Sequence, residues 1–392
     1  MKKYFYLLLM MVMSSALITS CLSDDDSDSN KNTEERTITS GLFVINNGTW
    51  GQNNGSLSYF DYENLQTQQL LSGPTGLRDL PNDAYVKGDT IFIVGSTENT
   101  IFVVNKKDFS IMKRMSTTEG MGETEGYSPR YITGYGNNIY FTTYGGYVGI
   151  IDAKTLTMSQ IKYQVGSAPE GLTVGGTSSD PILFVANSDY GNGNASVSKI
   201  HLNSGVSDAP ITDELISNPV EIVAIGDEFY FIDYGHYDEL WNQLDAGLYH
   251  YKDGKVTKVI ENATGMGVGL VYYNSQVVGY RIVTFNNPYG NTTGPTYSAY
   301  NTATGEKTQL TLSGDTGHEI FSPAAIAVDP LRGSIIIASR PKDPDTGYAS
   351  STLPGYANIY SSDGKYVEGT HFQTGVEPHM IGFLFDTVTY TY

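Results

Sequence analysis

The chain has one cysteine in 392 residues, so it has no disulfide framework, and a cysteine-based zinc site is excluded with it. Charge is sparse at 17% and basic charge sparser: 23 Lys and Arg against 42 Asp and Glu leave a formal −19. Such a surface repels nucleic acid, whose binding needs clustered cations against phosphates. From Gly41 onward there is no convincing amphipathic helix, and outside the first twenty residues no apolar run could cross a membrane. An all-helical protein, a DNA-binding protein and a disulfide-stapled module are all poor fits. What is abundant is glycine (43) and tyrosine (30), with a 40% hydrophobic fraction, which together point to many strands and turns around a sizeable core.

The N-terminus reads as an export signal. Lys2 and Lys3 precede the apolar run Tyr4 to Leu17, and Leu17-Ile18-Thr19-Ser20-Cys21 resembles a bacterial lipobox. That resemblance implies acylation of Cys21 and a signal peptide over 1–20. Ser23-Asp24-Asp25-Asp26 follows at once and is similar to the acidic export signal of surface lipoproteins. It implies an outer-membrane, cell-surface location. Residues 21–40 have too little apolar surface to fold and are expected to form an acidic tether.

The rest, 41–392, repeats. Short β-rich runs recur at Leu42–Ile45, Ile91–Val94, Ile139–Thr142, Ile182–Val185, Phe229–Ile232, Arg281–Phe285 and Ile335–Ala338. Each is followed by a variable loop and a second strand ending in an Asp or Asn turn, as in Tyr59-Phe60-Asp61 and Ile150-Ile151-Asp152. Pro81, Pro129, Pro169, Pro219, Pro323 and Pro378 each lead a further short strand, where a missing N–H disturbs no ladder; Gly267 takes that role in the remaining unit. The period of about 50 residues is that of a four-strand propeller blade. The chain opens with three strands and closes with a lone proline-led one, so one blade is completed from both termini. These observations predict an all-β, seven-bladed β-propeller in a single domain. A pair of β-sandwiches, the main rival, predicts no sevenfold spacing.

In such a ring the proline-led strand is innermost, and the loops between second and third strands crowd one face. Here those loops are long and aromatic. They carry Trp50, Tyr144, Tyr190, Tyr234, His236, Tyr237, Trp241, Phe285, Tyr289, Arg340, Tyr348 and Tyr356. Turns on the opposite face, such as Lys252-Asp253-Gly254-Lys255, are short. Residues just after the prolines (Asn82, Arg130, Glu170 and His379) are expected to ring the channel mouth. Exposed rings cost solvation unless something covers them. Flat rings beside Asn, Asp and Tyr, with few cations, suit a large and mostly neutral molecule rich in amides or hydroxyls.

The runs Leu183-Phe184-Val185-Ala186-Asn187 and Ile139-Tyr140-Phe141-Thr142-Thr143 look like repeats of the YncE-type propellers. With the lipobox, the acidic export run and the aromatic loops, the whole chain resembles the BtuG family of surface-exposed corrinoid-binding lipoproteins. That resemblance implies capture of cobalamin (vitamin B12) as a transported ligand and no resident cofactor. It also implies hand-over to a BtuB-like, TonB-dependent outer-membrane transporter with the ligand face toward its mouth. Aromatic rings would lie on the corrin, Asn and Asp would bond its amides, and Arg130 or Arg340 would meet its phosphate.

Catalytic and metal motifs are absent or out of context. The six histidines form no metal-spaced pair. Ser110–Lys113 and Ser196–Lys199 match S-x-x-K but sit in strand-rich repeats, and Asp343-Pro344-Asp345-Thr346-Gly347 lacks the alternating ligands and closing Glu of a calcium loop. The chain therefore reads as a binding protein, with His236, His318 and His379 on the ligand face as hydrogen-bonding groups, or one of them as a ligand to the corrin cobalt. Two alternatives stay open: a glycan- or protein-binding accessory of another uptake system, and a propeller lactonase using Glu170, His379 and Arg130.

Overall fold

The computed structural model describes residues 33–240, 242–273, 276–287 and 294–391. Seven antiparallel sheets of four main strands follow one another along the chain. Blade 1 combines strands within 33–70 with the C-terminal strand Pro378–Thr391, and blades 2 to 7 occupy 81–116, 129–164, 169–207, 219–261, 265–310 and 322–376. Among the described residues helix is confined to the five residues Thr117–Met121 and a single 3-10 turn, Asp189–Gly191.

The second strand of each blade explains the ring. Ile91-Phe92-Ile93-Val94 is wholly buried, yet side chains alternate across a strand. Ile91 and Ile93 pack with Phe43 and Ile45 of blade 1, whereas Phe92 and Val94 pack with Ile139 and Phe141 of blade 3. Both faces of the sheet are covered, so the strand reads as a continuous apolar run rather than an alternating one. The same division holds around the circle. Seven core clusters fill the seven gaps between consecutive blades, and the one holding Leu42, Val44, Ile336 and Ala338 joins blade 7 to blade 1. This is the expected seven-bladed β-propeller.

The prolines mark a local irregularity. In the six proline-led blades the register slips between the proline and the next paired residue, as at Pro81/Ala84, Pro129/Ile132 and Pro169/Leu172. Blade 6 has no such proline and runs without a slip from Gly265 to Val271. Gly267 stands inside that strand and not at its head. Its role is close approach, since a Cβ there would lie 2.8 Å from the Ile326 carbonyl oxygen of blade 7.

One boundary differs from expectation. The first strand begins at Thr33, so 33–40, assigned above to the tether, pair with 385–391 as an extension of blade 1. Alternation of Glu34 and Arg36 with more exposed neighbours supports a ribbon there, and Arg36 lies 5.2 Å over the Tyr390 ring. The expected signal peptide and Cys21 lie outside the described residues.

A polar lock secures the closing seam. Asp329 of blade 7 is fully buried, and its Oδ1 accepts from Thr39 Oγ1 of blade 1 at 2.8 Å and from Leu331 N and Arg332 N. Arg332 returns Nη2 to the Thr39 carbonyl at 3.1 Å and lies 4.2 Å over the Tyr62 ring. Thr39→Val is expected to cost about 1–3 kcal/mol of unfolding free energy, because a buried carboxylate loses a donor. Thr39→Ser should recover most of it. Urea unfolding checks this, and an unchanged midpoint for Thr39→Val would show that the lock adds nothing.

Candidate ligand-binding crown

Loops between second and third strands, and the connections between blades, share the face at which the innermost strands start. Trp50, Tyr127, Tyr190, Tyr237, Phe321 and Tyr348 are exposed on it, and of the exposed aromatic rings among the described residues only Tyr135 is on the opposite face. Trp50 and Tyr348 are 78% and 72% exposed. His236–Tyr237 pairs with Gln243–Leu244 as a miniature ribbon standing on blade 5, with Leu240 at its exposed tip. An open groove of about 540 Å³ lies beside the Tyr190 loop, lined among others by Asn194, Pro210, Asp213, Glu214 and Ile216. A second, of about 490 Å³, opens at the other end of the channel by Tyr135, Thr177 and Tyr280.

Tyr190 is held in an unusual backbone. Asp189, Tyr190 and Gly191 take three successive positive φ values of 47°, 52° and 72°, a conformation costly for the two with side chains. Asp189 fixes it: Oδ2 accepts from Asn194 N at 2.9 Å and Asn194 Nδ2 at 3.1 Å, while its carbonyl accepts from Asn192 Nδ2. The result presents the Tyr190 ring outward, 60% exposed, edge-on to Tyr144 with centroids 5.2 Å apart.

Beneath that ring the mouth is knitted from blades 3, 4, 7 and 1. Arg130 Nε donates to Glu170 Oε2 at 3.0 Å, Tyr144 OH donates to Glu170 Oε1, and the Arg130 guanidinium lies 4.8 Å over the Tyr144 ring. Arg340 Nε donates to Glu377 Oε2 at 2.6 Å. His379 is enclosed near both arginines; burial first, then their positive charge, pushes it down to about 4, so it is neutral at pH 7. Deeper in the channel, Asp83 Oδ2 accepts from Ile132 N and Glu221 Oε2 from Met266 N, each carboxyl reaching the next blade's backbone at 2.9 Å. Burial pushes Asp83 up to about 7 and Glu221 up to about 8, and it raises the Tyr131 and Tyr234 hydroxyls. Among the described residues no group of His, Cys, Asp and Glu is placed to hold a metal ion.

The expected site residues divide. Arg130, Tyr144, Glu170, Tyr190, Tyr234, Arg340 and His379 come together at or below the mouth, with Trp50, His236, Tyr237 and Tyr348 on its rim. Three do not belong. Asn82 is buried, with its amide donating to the Arg130 carbonyl at 2.6 Å. Phe285 is core between blades 6 and 7. The Tyr356 hydroxyl is spent on Glu319 O and Phe321 N. Trp241 and Tyr289 lie outside the described residues. Sequence reasoning missed Tyr127, Glu377 and the channel-lining Asp83, Tyr131 and Glu221. The last three sit two places after a proline, and the slip there is the signal that would have found them.

Among solved structures the chain is similar to 6-phosphogluconolactonase candidates from Bacteroides fragilis and Bacteroides uniformis. The first shares 16% identity at a TM-score of 0.54 over 88% of this chain and 98% of that one; the second 13% at 0.58 over 88% and 99%. A hypothetical selenium-binding protein from Sulfolobus tokodaii matches at 11% identity and a TM-score of 0.59, over 88% of this chain and 93% of that one. What they share is the propeller fold. No family model and no curated protein sequence matches the chain.

The channel acids set a pH dependence. Asp83 and Glu221 keep protons in the folded state where the unfolded chain has lost them, so their stabilisation is complete at low pH and lost as pH rises through about 7 and about 8. Urea midpoints should therefore fall as pH rises from about 4 to about 8 and level off above that, and Asp83→Asn with Glu221→Gln should flatten the fall. An equal slope in the double variant would contradict the assignment.

Proposed function

We propose that the protein is a non-enzymatic binding protein that captures cobalamin or a related corrinoid on this crown. The observation that carries the reading is the one-sided display of exposed rings around a mouth whose two arginines are already paired. A corrin offers a broad rigid face with peripheral amides, and the crown offers rings for the face and hydroxyl, amide and carboxyl groups for the amides. Phosphate recognition by Arg130 or Arg340, expected from the sequence, has less support: each guanidinium is committed to a glutamate.

On the same reading Cys21 carries the lipid anchor on the outer-membrane surface, and cargo passes to a TonB-dependent transporter beside it, where tethering raises the effective concentration. A glycan would also use aromatic platforms, and a glycan array positive with a blank cobalamin titration would select that alternative. A lactonase reading has in its favour the names of two structural neighbours and the convergence of Arg130, Glu170 and His379. Lactone turnover abolished by Glu170→Gln would establish it.

Titration of the purified protein with cyanocobalamin should give saturable binding at micromolar ligand, and a red chromophore should survive desalting. Tyr190→Ala should weaken binding by roughly tenfold, the loss of one well-placed ring. Absence of saturable binding would end the proposal.

A further inference from the structure

The two ion pairs at the mouth differ from ordinary surface pairs in where they point and in what they consume. Each glutamate takes the Nε of its arginine, at 3.0 Å for Glu170 and 2.6 Å for Glu377. Nε together with one terminal nitrogen forms the fork that grips a carboxylate or phosphate through two parallel bonds. With Nε occupied, that side-on fork is closed to an incoming anion, and the paired carboxylate offsets the charge and repels an anion across the end-on fork, while the terminal N–H groups can still donate to a neutral carbonyl or hydroxyl. Both glutamates are fixed independently of the arginines. Tyr144 OH holds Glu170 from the other oxygen. Glu377 has φ 54° immediately before Pro378, and its carbonyl accepts from Asn47 N at 2.8 Å, which fixes its backbone at the rim. Both arginines act on His379, so the two pairs belong to one mouth. The acids further down, Asp83 and Glu221, add no positive charge that an anion could use.

We propose that Glu170 and Glu377 are specificity determinants of the crown: by masking Arg130 and Arg340 they admit uncharged, amide- or hydroxyl-bearing cargo and reject an anionic counterpart of the same shape. The proposal rests on the crown being a ligand site, and it assigns the charge class that the site selects. Discrimination comes from a repulsive element as much as from an attractive one. The glutamate carboxylates stand where an anionic group would have to approach its cation.

The test uses inorganic phosphate as one probe and a corrinoid pair as the other. Phosphate should not raise the melting temperature of the wild type. Glu377→Gln, and Glu170→Gln where it folds, should each gain a concentration-dependent rise that Arg340→Gln or Arg130→Gln, combined with it, abolishes. Cyanocobalamin should bind the wild type about tenfold or more tightly than its monocarboxylate, in which one peripheral amide is hydrolysed, and the glutamine variants should narrow that ratio. Phosphate stabilising the wild type, or variants that gain no response to phosphate, would overturn the masking role whatever the cargo. Failure of both corrinoids to bind while the variants gain phosphate binding would instead remove the corrin reading and leave the masking role standing.

Discussion

Everything in this molecule depends on the packing of one sheet against the next. A four-stranded blade has two apolar faces and no means of burying either alone, so each second strand gives alternate side chains to its two neighbours. Such a chain has no satisfactory open form, because the first and last blades would each leave a bare face and an unpaired edge. Closure through Pro378–Thr391, with seven clusters in seven gaps, removes both. The Asp329 lock then sits at the seam where the two chain ends meet.

Closure also builds the mouth. The slip after each proline breaks the strict alternation of the innermost strand, so adjacent residues can line the channel before the strand resumes core packing at Ala84, Ile132 and Leu172. Polar groups gathered there are short of water and must satisfy one another. Arg130 finds Glu170, Arg340 finds Glu377, His379 sheds its proton, and burial raises Asp83 and Glu221, each of which accepts from a neighbouring backbone N–H. Little uncompensated charge remains at the centre of the crown. The rings around it are exposed because the loops that carry them, Tyr190's above all, are bonded into shapes that turn them outward.

Blade number and closure by the last strand could be read from the sequence because they follow from a fifty-residue period, leading prolines and strands left over at both ends of the repeat. Which face carries the exposed rings followed from loop length. What could not be read was which polar group each side chain would spend itself on. Asn82 and Tyr356 stand where ligand contacts were expected, yet the Asn82 amide is buried against the Arg130 carbonyl and the Tyr356 hydroxyl is taken by the 319–321 backbone. Phe285 ends a strand that continues further into the core than its flanking Asn residues suggest. Glu377, one residue before a proline, gave no sign of pairing with Arg340 because that contact crosses from blade 7 to blade 1. The ribbon at 33–40 was hidden by its polar composition; it is held by pairing with the distant 385–391 and not by a core of its own.

Cargo held on the aromatic face would shield the loops that carry its rings. Hydrogen–deuterium exchange with and without cyanocobalamin tests it most directly. Exchange should slow in 47–55, 188–194 and 341–353, with the opposite turns at 252–255 and 361–364 unchanged. Protection confined to those opposite turns, or none on either face at saturating ligand, would contradict it.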